Sequence, residues 1–219
     1  LSCPPAMTAA APPPARRPAR ESRQRILAAI REAAIQEFSL HGLKGTSTQA
    51  IAERAGLTKP QLHYYIAGKE ELYAELLDSV MMAWKIQFAP PGMTEPAEIL
   101  AHYIRLKLDH AFDQPTVSRI FTREILDGGH NLDRYWPKAR IWVEEEVAII
   151  NGWMARGLMR PMNAHLLLMH IWAMTQHHAD FALQVREICG QGPHAPLDRE
   201  AVASELIPFV LRGCGLLPP

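Results

Sequence analysis

Residues 46–72 decide the fold, and they read TSTQAIAERAGLTKPQLHYYIAGKEEL. Two short apolar patterns with helical spacing each follow a hydroxyl residue, Ser47 before the first and Thr58 before the second. Ser and Thr favour the first position of a helix because their side chains accept hydrogen bonds from free backbone N–H groups. Gly56 separates the two patterns and Gly68 ends the second. Two short helices joined by a tight turn predict a helix-turn-helix.

The segments on either side also have helical periodicity. From Glu21, apolar residues recur at three- and four-residue steps until His41 and Gly42, which predicts a helix ending there. A longer helix is predicted from Lys69, and the rest of the chain reads as helix because no segment alternates at period two for long. The predicted fold is all-α, with a three-helix helix-turn-helix domain at residues 20–67 and a larger helical domain at residues 68–219.

The N-terminal end and the charge distribution point towards nucleic acid. Residues 1–19 are rich in Pro and Ala without periodicity and predict a flexible arm, whose arginines either contact phosphates or are simply solvated. The 219 residues carry 23 basic and 23 acidic side chains, but residues 16–70 contain ten basic and five acidic ones. A basic front on an acidic body indicates a nucleic-acid module on a scaffold.

Several function classes find no support in the sequence. No apolar run approaches the ~20 residues of a membrane span, and no secretory signal is present, so a cytoplasmic protein without a membrane partner is expected. The three cysteines are far apart, and the cluster His170, His177, His178 and Asp180 has no histidines four residues apart, so neither metal nor cofactor is predicted. Catalytic motifs are missing, which leaves an enzyme as the less favoured alternative.

The chemistry of this stretch suits DNA. The third helix fits the major groove, where Gln61 can read adenine and Lys59 can reach guanine or a phosphate. Ser47 and Thr48 place hydroxyls and free N–H groups at a helix start, which suits a phosphate, and the ammonium of Lys69 can do the same. The predicted DNA-binding residues are Ser47, Thr48, Gln49, Thr58, Lys59, Gln61, His63, Tyr64 and Lys69.

This stretch resembles the DNA-binding domain of the TetR family of bacterial repressors. The family pattern runs Thr-Thr/Ser, Ile-Ala, Ala-Gly-Val-Ser, Leu-Tyr-x-Tyr-Phe and Lys-Glu-x-Leu. This chain departs from it at Ile66, which replaces Phe, and at Ala50, where an acid often closes a capping box. The resemblance implies a ligand-responsive repressor that binds double-stranded operator DNA, with a C-terminal domain for ligand binding and dimerisation.

Two runs in that domain resemble the RutR-type branch of the family, regulators of pyrimidine utilisation that respond to uracil or thymine. They are YIRLKL at residues 103–108 and IWAMTQHHADFA at residues 171–182. The branch usually has His-Tyr-Ala-Asp-Phe where this chain has HHADF. An effector unrelated to pyrimidines, and an architectural DNA binder without any effector, stay open as alternatives.

The second run contains the candidate ligand site. Trp172 and Gln176 are four residues apart and share a helical face. The indole offers a flat wall to a planar ring, and the carboxamide matches the alternating C=O and N–H edge of a pyrimidine dione. Trp84 is expected to close the pocket from below, and His177 completes the set. The alternative is that Trp172 is an ordinary core residue and Gln176 bonds backbone.

A homodimer is the expected assembly, because one recognition helix reads only a few base pairs. The last two long helices, about 138–156 and 163–189, have broad apolar faces that predict a four-helix interface. The candidate interface residues are Ile141, Trp142, Ala148, Ile149, Leu167 and Phe181.

Overall fold

The structure, a computed structural model, describes residues 17–85, 88–192 and 195–217. All regular elements in these ranges are helical, as predicted. Their bounds are α1 Arg17–Gly45, α2 Thr48–Arg54, α3 Lys59–Tyr65, α4 Lys69–Trp84, α5 Pro96–Asp113, α6 Pro115–Leu126, the 3₁₀ helix η1 His130–Leu132, α7 Trp136–Ala155, α8 Ala164–Asp180, α9 Ala182–Ile188 and α10 Arg199–Gly213. No helix in the described part of the chain is long and apolar enough to cross a membrane.

One hydrophobic core holds the first four helices together. Phe38 of α1, Ile51 of α2, Leu62 of α3 and Leu77 of α4 are buried in it. The same core takes in Ile120 of α6, so the helix-turn-helix packs directly on the larger domain. The domain boundary at residues 67/68 stays a prediction, and the core extends across it.

The first helix begins earlier than predicted, while its predicted end at His41 and Gly42 coincides with a break in the helical backbone. It begins at Arg17, so residues 17–19 of the predicted arm are helical; Pro18 lies in the first turn, where its missing N–H costs nothing. Residues 1–16 lie outside the described part. Near its other end α1 is interrupted at Gly42, which has φ +68°, a conformation that glycine adopts without strain. Arg123 of α6 packs against this position, its Cδ 3.2 Å from where a Cβ would lie.

A second core joins α5, α7, α8 and α10. Its fully buried residues include Leu100 and Ile104 of α5, Ile150 of α7 and Leu168 of α8. α5 packs against both α8 and α10, and α8 also packs against α6. The interior of this domain therefore lies between α5, α7, α8 and α10.

The prediction of one helix over residues 163–189 was wrong. The backbone leaves the helix at Phe181 (φ −113°, ψ 29°), between α8 and α9. At the same point the Asp180 carboxylate accepts hydrogen bonds from Ser118 and Thr122 of α6. The last long helix is α10, which continues through Pro208 although proline ordinarily interrupts a helix. The predicted helix at about 138–156 corresponds to α7, and the last two long helices of the described chain are α8 and α10.

Candidate functional site

The two short helices are held by side-chain caps at their first turns. Ser47 Oγ accepts from the Ala50 N–H at 3.0 Å. At α3, Thr58 Oγ1 accepts from the Gln61 N–H at 3.4 Å, and the Thr58 N–H donates to Gln61 Oε1 at 2.8 Å. This reciprocal capping box fixes the start of α3. Because it occupies the carboxamide oxygen of Gln61, bidentate reading of adenine requires the box to open.

The outer face of α3 is polar and exposed, while Leu62 anchors the helix from behind. Tyr64 is the extreme case, a large aromatic side chain that is 75% exposed. On α2, Gln49 Nε2 donates to Glu53 Oε1 at 2.6 Å. Thr48 is half-buried, and the other candidates on α2, α3 and their caps are exposed: Ser47, Gln49, Thr58, Lys59, Gln61, His63 and Tyr64. The candidates thus lie on or beside an accessible helix face.

Lys69 differs from the other DNA-binding candidates because its ammonium is engaged inside the domain. Its Nζ donates to the carbonyl oxygen of Leu43 at 2.9 Å and to that of Thr46 at 2.7 Å. Thr46 is buried, and its hydroxyl donates to the carbonyl of Gly42 at 2.8 Å. Lys69 therefore ties the start of α4 to the turn that follows the Gly42 interruption.

These contacts predict that Lys69→Ala acts mainly on stability. We expect the free energy of unfolding to fall by about 1–2 kcal/mol, because two charge-assisted hydrogen bonds to a partly buried turn are lost. We also expect an unchanged salt dependence of DNA binding. Lys59→Ala is the matched control: it should leave stability within about 0.5 kcal/mol and lower the salt slope by about one unit. Chemical denaturation and salt titrations of DNA binding measure both, and a stable Lys69→Ala protein with a reduced slope would contradict this role.

Polar side chains meet in the interior of the larger domain. The Trp172 Nε1–H of α8 donates to the Tyr103 hydroxyl of α5 at 2.7 Å. One turn further along α5 lies Lys107, only 8% exposed, and Glu146 of α7 faces both Tyr103 and Lys107. Burial lowers the pKa of Lys107 to about 8 and raises the pKa of Glu146 to about 7. Polar groups with perturbed pKa values inside a domain are typical of a binding site.

Beside this cluster is a cavity of about 370 Å³ between α7 and the segment that follows α4. Its lining includes Phe88, Trp142 and Glu146, and the Lys85 ammonium lies 5.2 Å from the centre of the Trp142 ring. Glu146 Oε2 is buried and has no hydrogen-bond partner among the described residues. The cavity is within the size range of small-molecule sites.

Of the four candidate ligand residues, Trp172 lies at this cluster, and helix spacing puts Gln176 one turn further along α8. Tyr103 contacts Trp172, and Phe112 stacks on His178 at 5.8 Å, so α5 and α8 run in the same direction. Gln176, half-buried and one turn beyond Trp172, therefore lies near the level of Lys107. The sequence analysis missed Tyr103, Lys107 and Glu146. Tyr103 and Lys107 belong to the run YIRLKL, in which Lys107 lies at helical spacing from apolar residues, and this spacing was the signal available for a buried lysine.

The other two candidates are not brought to this cluster. His177 is exposed on another face of α8, where it stacks on Phe181 at 5.1 Å and lines a groove towards α10. Trp84 is the last residue of α4, and its side chain lies outside the described residues. Their participation stays a prediction.

The face shared by α8 and α10 is an open apolar surface. Leu166 and Met169 of α8 and Phe209 of α10 are large apolar side chains that are at least half exposed. Of the predicted interface residues, Leu167 is largely buried but lines one of the grooves between α8 and α10, and Trp142 lies under Lys85. Ile141, Ala148 and Phe181 are exposed and Ile149 is half-buried, but none of them lines the grooves between α8 and α10.

The sequence matches two known family descriptions. Residues 30–76 match "Bacterial regulatory proteins, tetR family", and residues 76–217 match "YcdC-like protein, C-terminal region". The HTH-type transcriptional regulator RutR of Escherichia coli (strain K12) is 39% identical over 167 residues, which cover 74% of this chain and 77% of that protein. These matches extend from the helix-turn-helix through the larger domain.

Solved structures share the fold at lower identity. The ketosteroid transcriptional regulator KstR2 of Mycobacterium tuberculosis superposes with a TM-score of 0.70 at 20% identity, over 87% of this chain and 94% of that one. AibR in complex with isovaleryl coenzyme A and operator DNA gives a TM-score of 0.66 at 19% identity, over 84% and 97%. At this level of identity the likeness shows the fold alone.

Proposed function

This chain belongs to the TetR family of bacterial regulatory proteins, and from that premise we propose that it is a repressor released from its operator by a small planar heterocycle, with uracil or thymine the first candidates. Its relatives are DNA-binding transcriptional regulators and not enzymes, so the chain is a DNA-binding transcriptional regulator. The effector, the repressor role and the contacting residues are the proposed part.

The observation that carries the effector proposal is the hydrogen bond from Trp172 to Tyr103, which lies beside the buried Lys107 and the half-buried Glu146. A domain that only holds two recognition helices together is most simply filled with apolar side chains, because buried charges cost free energy unless they are paired. Retaining a lysine and a glutamate at the centre favours a bound polar ligand. It argues against an architectural DNA binder, and the RutR-type runs around it favour a pyrimidine over an unrelated molecule.

For DNA, we propose that α3 enters the major groove and that Lys59, Gln61, His63 and Tyr64 face the bases and backbone. Ser47, Thr48 and Gln49 at the start of α2 and Thr58 at the cap of α3 are placed near the flanking phosphates. Two such helices, one from each subunit of a homodimer, read half-sites about one helical turn apart. The exposed apolar face of α8 and α10 is the proposed dimer surface.

The experiment is a DNA-binding titration with and without effector. Operator affinity is measured by fluorescence anisotropy on the DNA upstream of the gene, with uracil and thymine added. We expect the effector to lower the affinity of the wild-type protein at least tenfold, which needs ~1.4 kcal/mol of differential binding. Gln176→Ala should bind DNA normally without effector and should not respond to it, because the carboxamide that matches the ring edge is gone.

Gln184→Ala, an exposed glutamine on α9, is the matched control and should keep the full response. If Gln176→Ala unfolds or loses operator binding outright, Gln176 is a structural residue. If it responds as the wild type does, the effector binds elsewhere or belongs to another class.

A further inference from the structure

Another cavity lies where the end of α5 and the start of α6 meet α9 and the segment that leads into α10. Its volume is about 630 Å³, and three helices each contribute an arginine to its lining: Arg119 of α6, Arg186 of α9 and Arg199 of α10. Neither Trp172 nor Gln176 lines it. This arginine cavity is therefore separate from the proposed effector site.

The three arginines differ in how their charge is balanced. Arg199 donates to the Asp109 carboxylate at 2.9 Å and also to the Asp113 carboxylate. No ion pair between described residues involves Arg119 or Arg186, and both side chains are half-buried. Two like charges that face one partly desolvated cavity are unfavourable unless an anion balances them.

The hydrogen bonds of these two arginines leave donors available to a ligand. Arg119 Nη2 donates to Thr116 Oγ1 at 3.3 Å, and Arg186 Nε donates to the Ala195 carbonyl at 2.8 Å, a bond that does not use its two terminal nitrogens. His178 lines the same cavity, and its Nδ1 is buried without a hydrogen-bond partner among the described residues. Forked guanidinium donors match the oxygens of a phosphate group.

The remaining walls of the arginine cavity are largely apolar. Pro115, Ala182 and Leu197 contribute to them, and Ala182 is buried. A free phosphate ion would leave these walls without contact, whereas a phosphate that carries a small organic group can cover them and remove apolar surface from water. The lining thus combines two cationic side chains with an apolar compartment.

We propose that the arginine cavity binds a small organic phosphate monoester. Arg119 and Arg186 hold the dianionic head, and the organic group packs against the wall formed by Pro115, Ala182 and Leu197. A dianion balances the two arginines that have no carboxylate partner, and it bridges α6 and α9. This site goes beyond the proposed function, because it requires neither a pyrimidine nor operator DNA.

Calorimetry on the full chain with phenyl phosphate, phenyl sulfate and inorganic phosphate tests the proposal at about pH 8, where a phosphate monoester is a dianion. Phenyl sulfate is similar in shape but carries one charge, and inorganic phosphate has no apolar group. We expect the wild-type protein to bind phenyl phosphate at least about tenfold more tightly than either, because only phenyl phosphate satisfies both the arginines and the apolar wall.

Substitution of the arginines locates the binding. Arg119→Gln and Arg186→Gln should each weaken phenyl phosphate by about 10–100-fold, because charge-assisted hydrogen bonds are lost. Arg119→Lys keeps the charge without the planar fork and should lose less. Arg140→Gln, which removes an exposed arginine on α7 outside the cavity, is the matched control and should bind as the wild type does. If Arg186→Gln fails to fold because the contact with Ala195 is lost, Arg119→Gln decides.

Three results would each overturn the proposal and leave the proposed function intact. The first is a wild-type protein that does not bind phenyl phosphate, or binds all three anions equally. The second is an equal loss in Arg140→Gln and Arg119→Gln, which would indicate attraction to surface charge in general. The third is a loss of phenyl phosphate binding in Gln176→Ala, which would place the compound in the interior of the domain.

Discussion

Replacing Phe209 with glutamate is expected to split the proposed homodimer and to lower affinity for a two-half-site operator by about 10²–10⁴-fold. Phe209 is 66% exposed and lies between the two grooves that run along α8 and α10. In a symmetric dimer each subunit contributes the same residue to the interface, so the substitution buries two like charges in an apolar contact. A monomer contacts one half-site only, so it lacks the additional affinity that comes from linking two recognition helices.

The reason to assign the dimer to this face is the continuity of its apolar side chains. Leu166 and Met169 are three residues apart on α8 and therefore share a helical face, and Leu166 and Phe209 line the same groove. Monomeric proteins rarely expose a contiguous apolar patch of this kind unless something covers it. A second copy of the chain suits it because a twofold axis places α8 and α10 of one subunit against the same helices of the other.

Leu126→Glu serves as the matched control, because Leu126 is an even more exposed apolar residue at the end of α6, outside both grooves. Sedimentation velocity should show a monomer for Phe209→Glu and a dimer for Leu126→Glu, and anisotropy on full operator and half-site DNA completes the comparison. A Phe209→Glu protein that stays dimeric and binds the full operator normally would place the interface elsewhere.

The helix-turn-helix was predictable because its determinants are local. Ser47 and Thr58 cap helices within three residues of themselves, and Gly56, with a positive φ, follows the C-cap of α2 directly. Gly68 precedes the first residue of α4, while α3 already ends at Tyr65. The buried residue Leu62 follows from helical periodicity alone. What local reasoning missed was the use of the same polar groups inside the domain: the capping role of Gln61 and the two carbonyl contacts of Lys69.

The interior site was only half predictable because it is assembled from distant segments. Trp172 and Gln176 share a helical face, so their proximity follows from spacing. Glu146 meets Tyr103 and Lys107 only through the packing of α7 against the rest of the domain, which no pattern within one helix encodes. The break at Phe181 has the same origin, because the residues that hold Asp180 belong to α6.

Asp180 leads to the second large expected effect, the loss of communication between effector and DNA. Its carboxylate accepts from Ser118 Oγ at 2.7 Å and from Thr122 Oγ1 at 2.6 Å. It follows Gln176 by one turn of α8. We therefore expect a shift of α8 at the proposed effector site to reach α6 through these two short hydrogen bonds.

α6 in turn forms hydrogen bonds with α1 and α4, the two helices that pack against the helix-turn-helix. Arg123 Nη1 donates to the Leu40 carbonyl of α1 at 3.0 Å, and the Tyr73 hydroxyl of α4 donates to the buried Glu124 at 2.9 Å. Both contacts lie next to the core that α6 shares with α2 and α3. We therefore expect the proposed effector site to act on the DNA-binding helices through α6.

We expect Asp180→Ala to keep operator affinity and uracil affinity within about threefold of the wild type, while the effect of uracil on operator affinity falls from at least tenfold to less than about threefold. Asp180→Asn retains one acceptor oxygen and should keep an intermediate response, and Asp133→Ala, an exposed carboxylate after η1, should keep the full response. Binding coupling is reciprocal, so operator DNA should weaken uracil by the same factor in each protein. The factor by which uracil weakens operator binding, and operator weakens uracil binding, measures communication between the sites; a change in either affinity alone does not. If the Asp180→Ala protein still shows the wild-type factor in both titrations, the coupling passes through another contact.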